Sequence, residues 1–293
     1  MKLATDATRR PILRYYGGGW LRAEWTISHF PAHDIYLEPC VGAGSIYLRK
    51  QPAALEALND RDGRTINFMR VLRDRGDELL EKINLTPWAE DELPICAERC
   101  LDPLEDARRF FFLCWMSVYG GPTGGGRNFR NQNSLDGRFV PPPQDAINRT
   151  DLLVAAARLK NAQIFNRDAI EMIVKYLGTG ALVYFDPPYL QSTRARRKGY
   201  NHEVTPAWHR YAACYLRQHN GPVVVAGYRS RLYERIYEEY GWKRVEREYN
   251  TNGKTKAVEC LWLNPICQDM LVAEQNQSMN HGLRLPFILE LAQ

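Results

Sequence analysis

The tetrapeptide Asp186-Pro187-Pro188-Tyr189 closes the apolar run Ala181-Leu182-Val183-Tyr184-Phe185. A run of that content, stopped by two prolines, reads as a buried strand ending at a rigid corner. Its carboxylate then stands at the carboxyl end of a strand, where open α/β sheets keep their ligand chemistry. Two successive prolines remove backbone donors and fix φ, so the carbonyls of Asp186 and Pro187 are left to point outward. Acceptors beside a flat ring suit an exocyclic amine on a nucleobase. The lone pair of such an amine is delocalised into its ring. Two acceptors gripping its hydrogens favour a more tetrahedral nitrogen with an available lone pair, and Tyr189 offers a face for stacking. For so short a motif, a plain strand followed by a Pro-Pro turn is the alternative.

A second constellation lies upstream. Asp34 to Pro39 reads as a first strand, and Cys40-Val41-Gly42-Ala43-Gly44-Ser45 as a turn into a helix through Lys50. Strand, Gly-x-Gly turn and helix let backbone come close beneath a nucleotide-like ligand. The third glycine of the dinucleotide fingerprint is replaced by Tyr47, which disfavours a pyrophosphate cofactor and favours one without phosphates. Ala54 to Leu58 reads as the next strand. Asp60 at its end is placed to accept from ribose hydroxyls, with Asp62 as a helix cap. Asp168, after a strand at Gln163 to Asn166, is placed to reach a cofactor adenine, with a helix N-cap as the alternative. Ahead of all these, Tyr15-Tyr16-Gly17-Gly18-Gly19-Trp20 offers glycines for close approach and rings to cover a ligand.

The elements that position these groups follow from periodicity and punctuation. Helical pattern begins at Arg64, with Ile66, Met69 and Leu72 on one face, and recurs in the aromatic-rich stretch Glu105 to Tyr119. About a hundred residues separate the second and third strands, too many for a single crossover. The expected organisation is a catalytic domain from residues 1–62 and 151–265, an inserted helical subdomain at 63–150, and a C-terminal tail at 266–293. Thr205 caps a helix, Pro222 to Ala226 is a further strand, and Asn252-Gly253 joins Trp242 to Asn250 with Lys256 to Asn264 as a hairpin. The fold class expected is α/β, a parallel sheet ending in an antiparallel hairpin.

Composition sets outer bounds. With 293 residues, 45% hydrophobic and 25% charged, the chain is of ordinary globular composition. No apolar run is long enough for a membrane span, and no signal-peptide core follows Arg9-Arg10, so a cytoplasmic protein is the expectation. The seven cysteines are scattered and odd in number, which argues against a disulfide framework, and no metal site is expected. A net charge of +5 permits an anionic partner. Arg194, Arg196, Arg197 and Lys198 directly follow the proline corner, and Arg127, Asn128 and Arg130 sit in a Gly- and Asn-rich segment. Basic clusters beside a candidate site suggest nucleic acid, and Arg and Asn are side chains that read base edges.

Together these motifs resemble the Dam-type (alpha-group) DNA adenine methyltransferases, particularly the orphan enzymes of bacteria and phages. The resemblance runs from Leu13 to Pro265 and rests on Glu38-Pro39-x-x-Gly42-x-Gly44-Ser45 followed by Asp186-Pro187-Pro188-Tyr189. It implies a Rossmann-like methyltransferase fold with a mostly parallel seven-stranded sheet, and S-adenosylmethionine as cofactor. It further implies methyl transfer to the N6 amine of an adenine flipped out of double-stranded DNA, by a chain expected to be a monomer. Carried over residue by residue, the cofactor positions are Tyr15, Gly17, Glu38, Gly42, Gly44, Asp60, Asp168, Ile170 and Asp186. The catalytic positions are Asp186, Pro187, Pro188 and Tyr189. The segment from Arg194 to Tyr200 is implied to contact phosphates, and Gly120 to Phe139 to read DNA. Two positions depart from the pattern: Gly19 stands where the family carries lysine, and Cys40 where it carries phenylalanine. These departures leave open a silent DNA-binding protein; methylation of RNA is a further alternative.

Overall fold

The computed structural model describes residues 10–118, 128–130, 133–135, 138–140, 149–194, 200–251 and 255–289. Seven strands form one sheet: β1 (Ile35–Glu38), β2 (Leu55–Asn59), β3 (Ala162–Phe165), β4 (Leu182–Phe185), β5 (Val223–Gly227), β6 (Lys243–Thr251) and β7 (Thr255–Leu263). Their order across the sheet is β3-β2-β1-β4-β5-β7-β6, with β7 antiparallel to both its neighbours and every other pairing parallel. The expected α/β class, the seven strands and the closing hairpin are all present, each strand within one residue of its expected bounds. The hairpin turn at Asn252-Gly253 lies outside the described residues.

Strand alternation divides the interior into two layers. Tyr36, Leu182, Tyr184, Val224, Ala226 and Leu261 face one core; Leu37, Val183, Phe185, Val223, Val225 and Trp262 face the other. The first core is covered by α1 (Ala23–Ile27), α2 (Gly63–Asp74), α3 (Gly76–Leu85), α4 (Glu92–Ala97), α5 (Pro103–Met116) and α6 (Asp151–Leu159). The second is covered by α7 (Ala169–Lys175), α8 (Pro206–Leu216) and α9 (Arg231–Ile236). Ile66, Met69 and Leu72 of α2 are all buried, as their spacing predicts, and Phe110, Phe111, Phe112 and Trp115 of α5 share their cluster. Residues 63–116 therefore pack on the same core as the sheet, and a short antiparallel ribbon follows at Asn133–Leu135 and Arg138–Val140.

Two expectations give way. The helix expected after the Gly-x-Gly turn is replaced by consecutive turns over residues 43–49, held by isolated bonds such as Leu48 N to Gly44 O and Lys50 N to Ile46 O. Lys50 is drawn inward to Glu56 and Tyr36, which ends the segment before a helix can propagate. The stretch expected to be a polar tail is instead a helix, α10 (Pro265–Leu289). Asn264 starts it by accepting from Cys267 N at 2.9 Å, with Pro265 in the first turn.

Candidate active site

Strand order reverses between β1 and β4, and a crevice opens at their carboxyl ends. A cleft of about 870 Å³ lies there. Tyr15 to Gly19 form one wall, the turn after β1 the floor, Asp60 and Asp168 the far end, and Asp186 with Pro188 the near end. Tyr200, Asn201 and His202 lie across from them.

The turn after β1 is held down from below. Gly42 has φ +49°, and a Cβ there would meet the Tyr15 ring at 3.5 Å. Gly42 N donates to Asp60 Oδ2 at 2.9 Å and Asp62 N to Asp60 Oδ1 at 2.8 Å, so one carboxylate fastens two loops. Burial pushes the Asp60 carboxyl up to about 6, against the pull of those two N–H groups. Asp62 caps α2 through Arg64 N, as expected. Glu38, buried at the end of β1, accepts from the Tyr36 hydroxyl at 2.8 Å. Burial raises its pKa well above the usual range, with Asp186 adding to the rise.

At the leading wall, Gly17 has φ +74°, and any Cβ there would run into the Tyr200 hydroxyl. Tyr200 stacks edge-on against Tyr16 at 5.2 Å, and Asn201 Nδ2 donates to Asp62 Oδ2 at 2.8 Å. Residues 200–202 are thereby tied down over the opening. Asp168 lines the cleft and caps α7 through Ile170 N, the expected alternative, while Arg61 pairs with its second oxygen at 3.1 Å.

Asp186 follows β4 directly and faces the cleft. Arg22 Nη2 donates to its Oδ2 at 2.9 Å and the Tyr184 hydroxyl to the same oxygen at 3.3 Å. No bond to Oδ1 is found among the described residues. Arg22 also reaches Gly17 O at 3.2 Å, the Tyr189 hydroxyl at 3.3 Å and Glu259 Oε1 at 3.6 Å. Burial disfavours the charge on Arg22, but Tyr189, Glu259 and Asp186 outweigh it, and its pKa rises well above the ordinary value. Sequence reasoning passed over this arginine. Its main partner is 164 residues away, and no spacing rule connects them.

Several expected positions lie elsewhere. Gly44 packs toward Met69 in the core and does not line the cleft, because the turn places its neighbours Ala43 and Ser45 there. Ile170 points into the second core, leaving Ala169 at the wall. Pro187 is likewise outside the lining. Tyr189 is turned inward, only 7% exposed, with its hydroxyl on Glu259 and its ring edge-on to Tyr228 at 4.9 Å, so it presents no open stacking face.

The basic positions divide. Arg130 is buried, with Nη1 on Trp115 O and its backbone paired to Met116 O, so it braces the start of the expected DNA-reading segment and offers no surface charge. Arg194 is 3% exposed, paired with Glu203 and stacked over Tyr200. It fixes the covering segment, and its pairing with Glu203 counts against the phosphate contact expected of it. Asn128 is exposed. Arg127, Arg196, Arg197 and Lys198 lie outside the described residues.

Compared with known proteins, residues 119–251 match the family described as D12 class N6 adenine-specific DNA methyltransferase. That match spans the corner at Asp186 but stops short of the turn after β1. A DNA adenine methylase of Serratia marcescens is 27% identical over 190 residues, covering 61% of this chain and 67% of that one. The solved structure of yhhF from Escherichia coli, provisionally described as a methyltransferase, is 12% identical and aligns over 79% of this chain and 76% of its own with a TM-score of 0.30.

Proposed function

We propose that the chain is an adenine-specific DNA methyltransferase of the Dam-type D12 class, which draws its methyl group from S-adenosylmethionine and acts on an adenine flipped out of double-stranded DNA. The observation that carries this reading is the position of Asp186 at the topological switch point, in one cleft with the glycine-lined turn and Asp60.

The cleft suits that cofactor. Asp60, Asp62, Asp168 and Asp186 line it with Arg61 as a cation among them, an excess of carboxylates that favours a sulfonium cation and an ammonium group over a phosphate chain. Gly42 and Gly17 keep clear the space that side chains would fill. Asp60 would accept from the ribose hydroxyls and Asp168 would reach the adenine edge, with Tyr15 covering the ligand from the side. When bound, the cofactor supplies an activated methyl carbon on a positively charged sulfur.

The target amine is paired inside the duplex, and turning the base out costs a few kcal/mol. Asp186 Oδ1 would then accept one of its hydrogens, and the Pro187 carbonyl, between the two lining residues Asp186 and Pro188, would have to turn toward the cleft to accept the other. Gripped in this way, the nitrogen would turn its lone pair toward the side of the cleft where the cofactor would be held, and Asp186 would take up the proton that the nitrogen sheds on accepting the methyl group. Positioning supplies most of the acceleration. Because Tyr189 is turned inward, Tyr16 and Trp208 on the cleft wall are the rings we assign to stacking. Asn128, with Arg127, Arg196, Arg197 and Lys198, is assigned to the DNA, with residues 63–150 as the target-reading portion. Such a reaction belongs where the DNA is, in the cytoplasm of a bacterial cell.

The test is competition for labelled methyl between duplex DNA and structured RNA, followed by digestion to nucleosides. Label recovered as N6-methyladenine from the DNA supports the reading; label in RNA, or in neither, overturns it.

A further inference from the structure

The oxygens of Asp186 are not equivalent. Oδ2 receives Arg22 Nη2 and the Tyr184 hydroxyl, whereas Oδ1 has no partner among the described residues. Resting on the methyltransferase reading, we propose that Arg22 is the positioning residue for Asp186, committing Oδ2 to the guanidinium so that Oδ1 is held toward the substrate amine.

The arginine is built into place from three sides. Its guanidinium spans from Asp186 to the Tyr189 hydroxyl and on to Glu259, a carboxylate 1% exposed on β7, so the far end of the bridge is anchored in the sheet. Gly17 O receives the same nitrogen that binds Asp186, tying the leading segment to the corner. Position 19 borders the guanidinium: a Cβ there would lie in ordinary contact with it, 3.5 Å from Arg22 Nε and 3.6 Å from its Cζ. The apparent loss of a cation at Gly19 is made good one helical turn later, from the 3-10 turn Trp20–Arg22.

The bridge also settles the electrostatics. Asp186 and Glu259 both bear on Arg22, and a single cation between them relieves their repulsion. Arg22 weakens Asp186 somewhat as an acceptor by drawing charge toward Oδ2. The orientational gain is larger, because an unfixed carboxylate rotates and presents either oxygen at any angle, and preorganised acceptors are what accelerate a charge-developing step.

The experiment compares Arg22→Met, Arg22→Lys and the double variant Gly19→Lys/Arg22→Met, each as the full chain. Met retains the aliphatic stem and guards against unfolding. Gly19 has φ −83°, which lysine adopts freely. We expect Arg22→Met to lower kcat by about 100-fold, the scale of losing one preorganised polar contact, with calorimetric affinity for S-adenosylmethionine within about threefold. Arg22→Lys and the double variant recover part of the loss, and added guanidinium ion restores Arg22→Met in a dose-dependent way without restoring Asp186→Ala. A kcat for Arg22→Met within about threefold of the parent overturns the proposal. A loss that neither lysine variant nor guanidinium recovers also overturns it, since the arginine is then only packing. An inactive parent chain overturns instead the methyltransferase reading on which the proposal rests.

Discussion

Gly17 and Tyr200 touch across the mouth of the cleft: the glycine, at φ +74°, leaves just enough room for the tyrosine hydroxyl above it. The segment after the proline corner thereby folds back onto the leading segment, helped by Asn201 on Asp62 and by Arg194 on Glu203. Two stretches that read as separate motifs in the sequence form one covering layer over the cleft.

Gly17→Ala tests that layer. Left-handed backbone costs an ordinary residue about 1–2 kcal/mol, and the new methyl group displaces Tyr200. The expected result is weaker binding of S-adenosylmethionine by about tenfold or more on calorimetry, with thermal stability lowered modestly. Gly178→Ala is the control, since Gly178 has no positive φ and a Cβ there meets nothing within 4 Å.

Cofactor affinity is expected to depend on pH through Asp60. Its carboxyl is pushed up to about 6 by burial, so near that pH a substantial fraction is protonated. Ribose hydroxyls donate better to the carboxylate, and binding favours the ionised form. Affinity therefore tightens as pH rises from 5 to 7, by about tenfold if only the ionised form binds. In the free protein the sign is opposite: the folded state holds the proton more tightly than the unfolded chain, so this group's contribution to stability falls as pH rises from its ordinary range to about 6. Asp60→Asn is expected to weaken binding at pH 7 and to flatten both dependences.

His209 gives the reverse slope. It is fully buried on α8 beside the Tyr233 hydroxyl, and burial brings its pKa down to about 4. The unfolded chain takes up a proton near pH 6.5 while the folded state resists it. The stability this provides is complete above about pH 6.5 and is lost as pH falls toward 4, a change of about 3 kcal/mol. Urea unfolding of the parent and His209→Gln across that window isolates the effect: the difference between them is expected to change with pH by that order, and a constant difference contradicts it.

Glu56 joins the turn after β1 to α6. Lys50, fully buried, meets it at 2.5 Å, and Arg158 Nη2 donates to it at 2.7 Å. Truncation to alanine strands a buried cation, which costs about 3–5 kcal/mol. Chemical denaturation is expected to show that loss for Glu56→Ala, with no direct contact to the cleft involved.

Most of the sheet was legible because strands such as β4 and β5 are β-branched and aromatic runs, and because Pro, Gly or Asn stands at or just beyond the strand ends. Asp186, Asp60 and Asp168 were legible because strand ends collect ligand chemistry whatever the details. What escaped depends on partners distant in sequence. Arg22 becomes meaningful only when β4 and β7 bring Asp186 and Glu259 beside it. Arg130 and Arg194 were read as surface charges because composition counts charges without their acceptors, although Glu203, nine residues beyond Arg194, was a visible candidate. Gly44 shows the same limit: its φ of +67° serves a turn packed on Met69. The Asn264-Pro265 start of α10 was a signal present in the sequence but passed over.

The most direct measurement is transfer of labelled methyl from S-adenosylmethionine to duplex DNA by the parent chain and by Asp186→Ala. The account predicts N6-methyladenine from the parent and a loss of at least about 100-fold in the variant, with DNA affinity largely kept. Undiminished transfer by the variant would contradict it, for the acceptor at the end of β4 would then have no part in the chemistry.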